Sequence, residues 1–365
     1  MRKQIKESLR EALSEIFWLL HKHFPYPADQ PTEVHLLVTE NCCLQCRMCD
    51  IWRIEKKQKP LDYKTGKRII DKLFSWLGIF NLSFAGGEPF LNREVIKIIN
   101  YARKKGIKTG INSNGYIIDK KYARAICESG LSTIFFSLDG EEKAHDYIRG
   151  QKGSFNRVIN AIRFIQDSKG EKKPEVFINC VISRNNISRL REIIKIARKV
   201  GVRGINFQVL MPNFASVYRS NWWKTNSLWP RDKKIINWAI DGLKSEKKLG
   251  GDFILNSYRD LDNFRNYLID PARFQKNQRC YVGLNNLMLD TSGNMKLCYE
   301  MRAIGNIILG DPQKIWNSPE ATIIRDSISK CQRPCKLLPC NVAYYGNLIK
   351  RKLRNLNKLI RIGVS

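Results

Sequence analysis

Between residues 34 and 210 the chain alternates short apolar segments with amphipathic segments whose apolar residues recur every three or four positions. Alternation of this kind predicts strand–helix units that form a parallel sheet. Six strands are predicted, and a helix follows each of the first five. The predicted strands cover residues 34–38, 81–85, 108–112, 132–138, 176–182 and 205–210, and the predicted helices cover residues 62–76, 92–105, 119–128, 154–167 and 187–200.

The order of these units predicts an α/β fold. The strands are expected to be apolar on both faces, as in parallel sheets that helices cover, which leaves either an open doubly wound sheet or a partial barrel. Several cysteines and the segments GGEP (86–89) and NSNG (112–115) directly follow strands. Because the carboxyl ends of barrel strands meet at one mouth, these residues favour a partial (β/α)6 TIM-like barrel.

The regular pattern ends near Met211, and the chain after it is expected to be organised differently. A helix is predicted over 232–247, whereas the aromatic segment 214–229 either lines a substrate site or covers an edge of the core. We predict an N-terminal amphipathic helix over residues 1–30 and a barrel core over residues 31–212. A bridging helical and aromatic segment (213–279), a small cysteine-rich domain (280–345) and a basic amphipathic tail (346–365) are predicted to follow.

The chain of 365 residues carries 64 Lys and Arg against 34 Asp and Glu, a net charge of +30. This charge indicates either contact with nucleic acid, an anionic membrane or an acidic substrate, or merely solvated helix faces rich in lysine. The amphipathic ends of the chain either pack on its own core or contact a membrane surface or RNA. No apolar run is long enough to span a membrane, and no secretory signal is apparent, so a cytoplasmic location is expected.

The eleven cysteines are clustered, which in a reducing compartment indicates metal binding rather than disulfides. Cys42, Cys46 and Cys49 form a C-x3-C-x2-C pattern just after the first strand. A tetrahedral zinc site needs a fourth ligand, and no histidine follows in this loop. Three thiolates instead suit a [4Fe–4S] cluster with one iron left open. The neighbouring Cys43 is expected to point away and not to be a ligand.

These cysteines, together with the segment AGGEPFLN at 85–92, resemble the radical SAM superfamily over about residues 31–210. The resemblance implies that S-adenosylmethionine (SAM) binds the open iron and is reductively cleaved to methionine and a 5′-deoxyadenosyl radical, which abstracts hydrogen from the substrate. It also implies a reducing partner such as flavodoxin or ferredoxin. Asp139 is expected only to cap a helix. The SAM-contacting candidates are Gly86, Gly87, Glu88, Pro89, Asn114, Ser137 and Arg149.

A second group of cysteines follows in a C-x12-G-x4-C pattern from Cys280 to Cys298, where NLMLDTSGNMKLC predicts a β-hairpin. This region resembles the auxiliary-cluster domain of the SPASM and twitch subfamilies. That resemblance implies a second [4Fe–4S] cluster, and a structural zinc ribbon is the alternative. Tyr299 and Glu300 follow Cys298 and are candidates to accept a substrate proton. Four of five cysteines would hold the cluster: Cys280, Cys298, Cys331, Cys335 and Cys340.

The sequence therefore predicts a radical SAM enzyme that abstracts hydrogen from a peptide or from a small natural-product or carbohydrate substrate. The auxiliary cluster favours oxidation or bond formation as the net reaction. Two alternatives stay open at this point. One is a radical SAM enzyme that acts on RNA or on a lipid-linked substrate in peripheral contact with a membrane, and the other is a zinc-binding, nucleic-acid-associated protein. Nucleic acid is the less favoured partner.

Overall fold

The computed structural model describes residues 30–31, 33–168, 173–212, 219, 221–276, 280–333 and 335–337. The predicted tail at 346–365 and all of the predicted N-terminal helix except Gln30 lie outside these residues. Cys340 and most of the segment 213–220 lie outside them as well. Among the described residues, no helix is both long enough and apolar enough to cross a membrane.

The described residues form one sheet whose first six strands follow the chain in spatial order. Its strands are β1 (Glu33–Thr39), β2 (Asn81–Gly86), β3 (Lys108–Ser113), β4 (Thr133–Ser137), β5 (Glu175–Ile182), β6 (Gly204–Val209), β7 (Asn286–Leu289), β8 (Asn294–Lys296) and β9 (Gly305–Asn306). The order across the sheet is β6-β5-β4-β3-β2-β1-β7-β8-β9, and β1 to β6 are parallel. A doubly wound sheet reverses its order at a switch point. The sequential order confirms the partial barrel.

Helices connect the strands and cover one face of the sheet. They are α1 (Tyr63–Leu77), α2 (Val95–Lys104), α3 (Lys120–Ser129), α4 (Glu142–Arg149), α5 (Ser154–Asp167), α6 (Leu190–Lys199), α7 (Lys233–Gly250), α8 (Tyr258–Ile269), α9 (Pro271–Lys276), α10 (Val282–Asn285), α11 (Pro312–Trp316) and α12 (Pro319–Ser329). Every predicted strand and helix of the barrel is present, with ends within three residues of the prediction. Helix α4 and the helices from α8 to α12 were not predicted.

Aspartates fix where several of these helices begin. The Asp62 carboxylate accepts a hydrogen bond from Thr65 N at 2.9 Å at the start of α1, and Asp119 accepts one from Tyr122 N at 2.7 Å at the start of α3. Each bond satisfies a backbone N–H that has no partner within the helix. The apolar stripes of the helices then pack on the outer face of the sheet.

The two faces of the strands differ, so the expectation of strands that are apolar on both faces is wrong. Residues that face the helices, such as Leu36 and Phe84, are fully buried. Their neighbours on the inner face are less buried, and several are polar, among them Ser83, Asn112 and Asn179. The inner face is open at the mouth of an incomplete barrel, where polar side chains keep access to solvent or to a ligand.

The cysteine-rich region continues the barrel sheet. Strand β7 pairs in parallel with β1, with Glu33 opposite Asn286 and Leu36 opposite Leu289. Strand β8 returns antiparallel to β7, which confirms the predicted hairpin. The Nε2 atom of His35 lies 3.2 Å from Asn286 Oδ1 across the same junction. Backbone pairing therefore fixes where the second cysteine group lies relative to the barrel.

Candidate active site

The loop after β1 carries the first cysteine group in a compact turn. Cys49 N donates to Cys46 O at 3.2 Å, and the indole of Trp52 donates to Cys49 O at 2.9 Å. Cys46 is buried, Cys42 is half-buried and Cys49 is exposed. The three thiols therefore extend from the interior to the surface.

The carboxyl end of α4 holds this loop in place. Arg47 donates from its backbone N to Ile148 O at 2.9 Å and from Nε to Tyr147 O at 3.0 Å. These bonds satisfy carbonyls that the end of a helix leaves free. Gly150 follows with φ +68°, and a Cβ there would lie 2.2 Å from Gln45 O. The helix end and the cysteine loop are thus in direct backbone contact.

The chemistry of these thiols fits an iron–sulfur cluster. Burial, followed by smaller effects that include the charge of Cys46, raises the pKa of Cys42 to about 12. Neighbouring thiolates are disfavoured unless a cation binds them. Among the described residues, no three His, Cys, Asp or Glu side chains are arranged to hold a single ion. A [4Fe–4S] cluster binds each thiolate at a different iron, so its ligands need not converge on one point.

Gly86 and Gly87 pack directly on the strand and loop that lead to Cys42. Gly86 has φ +148°, and a Cβ there would lie 2.1 Å from Thr39 O. At Gly87 a Cβ would lie 2.3 Å from Asn41 O and 3.0 Å from Cys42 Cβ. Only glycine allows this approach of two backbones. Pro89 is buried and opens a short 3-10 helix just after this contact.

The carboxylate of Glu88 is buried and hydrogen-bonded, and its assignment as a SAM contact stays a prediction. Its side chain is fully buried, and its oxygens accept from Ser113 Oγ at 2.9 Å, Asn114 N at 2.7 Å and Phe90 N at 3.2 Å. Burial raises its pKa to about 7, although these hydrogen bonds oppose the shift. Glu88 therefore ties the end of β2 to the end of β3.

Asn114 lies beside the first cysteine group. Its Nδ2 atom is 3.5 Å from Cys43 Sγ and 3.9 Å from Cys42 Sγ. The expectation that Cys43 points away from the other thiols is therefore wrong, because both thiols contact the same amide. That Cys43 is not a ligand stays a prediction.

Arg149 and Asp139 form a buried ion pair next to Cys46. Arg149 Nε donates to Asp139 Oδ2 at 2.6 Å, and Arg149 Nη1 lies 4.0 Å from Cys46 Sγ. Asp139 does not cap a helix, so that expectation is wrong. Ser137, at the end of β4, has no side-chain hydrogen bond to any described residue and lies opposite Asn179 in the sheet. The sequence made Arg149 a candidate SAM contact, which stays a prediction, but did not predict its ion pair with Asp139.

A chain of asparagine amides crosses the inner face of the barrel. Asn256 donates to Asn206 at 3.3 Å, Asn206 to Asn179 at 2.9 Å, and Asn179 to Asn112 at 2.8 Å. The direction is fixed because Asn256 Oδ1 accepts from Phe207 N at 2.7 Å, and a backbone N–H can only donate. Asn112 Nδ2 thus remains as a donor without an acceptor among the described residues. Sequence reasoning missed this feature, which depends on strands far apart in the chain.

The second cysteine group lies partly buried at the barrel edge. Burial, and with it the nearby charge of Cys331, raises the pKa of Cys298, so these two thiols are close enough to interact. Cys331 Sγ accepts from Arg333 N at 3.5 Å. Cys280 and Cys335 are half-buried. Which of these thiols hold a cluster stays a prediction, since Cys340 is outside the described residues.

Tyr299 and Glu300 directly follow Cys298. Tyr299 is exposed, whereas Glu300 pairs with Arg333 at 2.7 Å. The pKa of Glu300 is raised, chiefly by burial and to a smaller extent by the charge of Asp50, the residue after Cys49. Glu300 is thus close enough to Asp50 for their charges to interact.

The described part of the aromatic segment favours a structural role. Trp229 is buried, and its ring makes edge contacts with Trp222 at 5.4 Å and Tyr267 at 5.4 Å between centroids. These rings close the core beside β6.

Comparison with known proteins agrees with this site. The sequence pattern of the Radical SAM superfamily matches residues 36–215, and that of an iron-sulfur cluster-binding domain, SPASM, matches residues 280–341. The chain belongs to the radical SAM superfamily and carries a SPASM domain. The first domain implies a [4Fe–4S] cluster and SAM, and the second implies auxiliary iron–sulfur clusters. Enzymes of this superfamily carry out radical-based modifications.

Individual relatives differ in the share of each chain that aligns. An AdoMet-dependent heme synthase of Nitratidesulfovibrio vulgaris is 27% identical over 57% of this chain and 55% of its own. A PqqA peptide cyclase of Rhodopseudomonas palustris is 25% identical over 84% of this chain and 78% of its own. The chain spans about half the length of the first curated relatives. Streptococcus suis SuiB bound to the precursor peptide SuiA superposes with TM-score 0.62 at 15% identity, over 82% of this chain and 67% of SuiB, which shows the shared fold.

Proposed function

We propose that this protein is a radical SAM enzyme that modifies a peptide. One observation carries the proposal: the Cys42, Cys46 and Cys49 loop lies at the mouth of the barrel, in backbone contact with Gly87. The three thiols are the proposed ligands of the SAM-binding [4Fe–4S] cluster. When bound, the cluster and SAM would supply radical chemistry that removes a hydrogen atom from the substrate.

The residues around the loop position the bound molecules. Gly86 and Gly87 let the end of β2 pack against the backbone that leads to Cys42, and Glu88 fixes the end of β3 so that Asn114 stays beside Cys42. Ser137 offers a hydroxyl on the inner face that bonds to no residue in the described part of the chain. We assign these groups to SAM binding, with Glu88 and Pro89 acting through the backbone they hold.

Support for a peptide substrate comes from chemistry and from relatives. The amide chain on the inner face ends at Asn112, whose Nδ2 has no acceptor among the described residues and suits an acceptor such as a peptide carbonyl. Two similar proteins are described with a peptide: the PqqA peptide cyclase by its name, and SuiB by its bound precursor peptide SuiA. Cys280 and Cys298, with two of the three later cysteines, are the proposed ligands of one auxiliary cluster that favours oxidation or bond formation. A flavodoxin or ferredoxin is the proposed electron donor, and the cytoplasm the proposed location.

The test uses the reconstituted protein, SAM, dithionite and a deuterated short peptide encoded beside its gene. Deuterium should appear in 5′-deoxyadenosine, and the peptide should change in mass. Deoxyadenosine that forms without deuterium would exclude that peptide as the hydrogen donor. Absence of deoxyadenosine from iron-loaded protein would contradict the proposed chemistry itself.

A further inference from the structure

The buried ion pair of Asp139 and Arg149 faces a proposed cluster ligand rather than open solvent. We propose that Arg149, held by Asp139, is a positioning residue that donates a hydrogen bond to the thiolate of Cys46 and thereby sets the reduction potential of the cluster bound there. This inference rests on the proposed function, because it requires a cluster on the first cysteine loop.

Asp139 is fixed by four hydrogen bonds that leave it no freedom to turn. Its carboxylate accepts from Arg149 Nε at 2.6 Å and from Val181 N at 2.8 Å. Its backbone N donates to His145 Nδ1 at 3.1 Å, and its carbonyl accepts from Asn186 Nδ2 at 2.7 Å. The residue is fully buried. It therefore holds the guanidinium at one position.

Arg149 is fixed from its own backbone as well. It is the last residue of α4, the helix whose end is bonded to the cysteine loop through Arg47. Arg149 is only 8% exposed, so few solvent molecules reach its charge. The guanidinium uses Nε for Asp139, and Nη1 points to Cys46 Sγ at 4.0 Å. A planar guanidinium suits such a divided role, with separate donors aimed at two acceptors.

The charges act on the thiolate in opposite directions. The guanidinium of Arg149 places a positive charge 4.0 Å from Cys46 Sγ, and the carboxylate of Asp139 places a negative charge behind that guanidinium. A positive charge beside a ligand stabilises the reduced, more negative state of a metal centre, and a buried negative charge destabilises it. The two residues should therefore shift the potential with opposite signs.

The experiment is an EPR-monitored redox titration of anaerobically reconstituted full-length protein. The signal absent from Cys46→Ala is assigned to the first cluster. Arg149→Gln should make the reduction potential of this cluster more negative by at least about 59 mV. This shift corresponds to a tenfold change in the equilibrium constant of a one-electron reduction. Asp139→Asn should make the potential more positive, and Arg149→Lys, which keeps the charge, should stay closer to the wild type.

The exposed ion pair of Glu141 and Arg189 provides the matched control, since it lies near Asp139 in the chain but faces solvent. Glu141→Gln and Arg189→Gln should leave the potential unchanged. Unchanged potentials in the Arg149 and Asp139 variants, or shifts of the same sign in both, would overturn the inference. If Arg149→Gln binds no iron, the Asp139→Asn shift decides the matter. If the wild-type protein shows no EPR signal that disappears in Cys46→Ala, the first loop holds no cluster, and the proposed function is contradicted instead.

Discussion

Gly87 allows the sharpest perturbation of the site, because its replacement by alanine adds one methyl group at a backbone contact. The new Cβ would lie 2.3 Å from Asn41 O, whereas ordinary contacts begin at 3.4 Å, so the two atoms must separate by about 1 Å. Gly87 does not have a left-handed φ, so the effect is steric and not conformational. Asn41 is adjacent to Cys42, and the required shift moves the cysteine loop.

The carbonyl of Asn41 is not free to move. It accepts from Glu88 N at 2.8 Å, and a displacement of 1 Å breaks that bond. Overpacking costs about 1–3 kcal/mol and a lost hydrogen bond about 0.5–1.5 kcal/mol, so we expect Gly87→Ala to lose on the order of 2–4 kcal/mol. The loop should then fail to bind its cluster while the auxiliary site stays intact.

Iron analysis after anaerobic reconstitution and thermal unfolding of the apoprotein measure both effects. Gly87→Ala should bind about half the iron of the wild type and unfold at a lower temperature. Gly110→Ala is the matched control, since Gly110 also lacks a left-handed φ and its Cβ would meet only Ser83 Oγ at 3.7 Å. Wild-type iron content and stability in Gly87→Ala would refute this reasoning.

Three further predictions follow from the same structure. His145 is buried, and burial, with the charge of Arg149, lowers its pKa to about 4. In the unfolded chain the same imidazole binds a proton near pH 6.5, so the free energy of unfolding should fall as the pH drops from 6.5 to 4. In His145→Asn the free energy of unfolding should depend less on pH in this range. Asn112→Asp replaces the free donor by an acceptor and should lower kcat/KM for the peptide about tenfold, whereas Asn81→Asp, at the opposite end of the strands, should not. Cys298→Ala should remove the iron of the auxiliary cluster, about half of the total, and leave the EPR signal of the first cluster.

Each of these has an outcome that counts against it. If the free energy of unfolding falls between pH 6.5 and 4 as much in His145→Asn as in the wild type, another group must titrate in this range. Equal kinetics in Asn112→Asp and Asn81→Asp would remove the inner-face donor from substrate recognition. Full iron content in Cys298→Ala would mean that this thiol is not a ligand.

The barrel could be predicted closely because its pattern is local. The apolar periods of strands and helices are set by residues a few positions apart, and they fix β1 to β6 and the helices between them. Helix α4 escaped prediction because its buried face includes His145 and Arg149, which do not read as apolar. The pairing of β7 with β1 joins residues about 250 positions apart, and no local pattern encodes such a pairing.

The site divides in the same way. Cys42, Cys46 and Cys49 lie in one loop, so their spacing is a local feature that could be recognised from the sequence. The burial of Glu88 and Asp139 could not be predicted from the sequence. Because both carboxylates are buried, they form hydrogen bonds within the fold. Their partners come from strands and helices that only the folded chain brings together.

The central claim is that the first cysteine loop holds a cluster that cleaves SAM. Formation of 5′-deoxyadenosine from SAM with dithionite tests it most directly, in the wild type, in Cys46→Ala and in Cys43→Ala as the matched control. The wild type and Cys43→Ala should form the product, and Cys46→Ala should form none. Product formation by Cys46→Ala, or a colourless wild-type protein that binds zinc and no iron, would contradict the account.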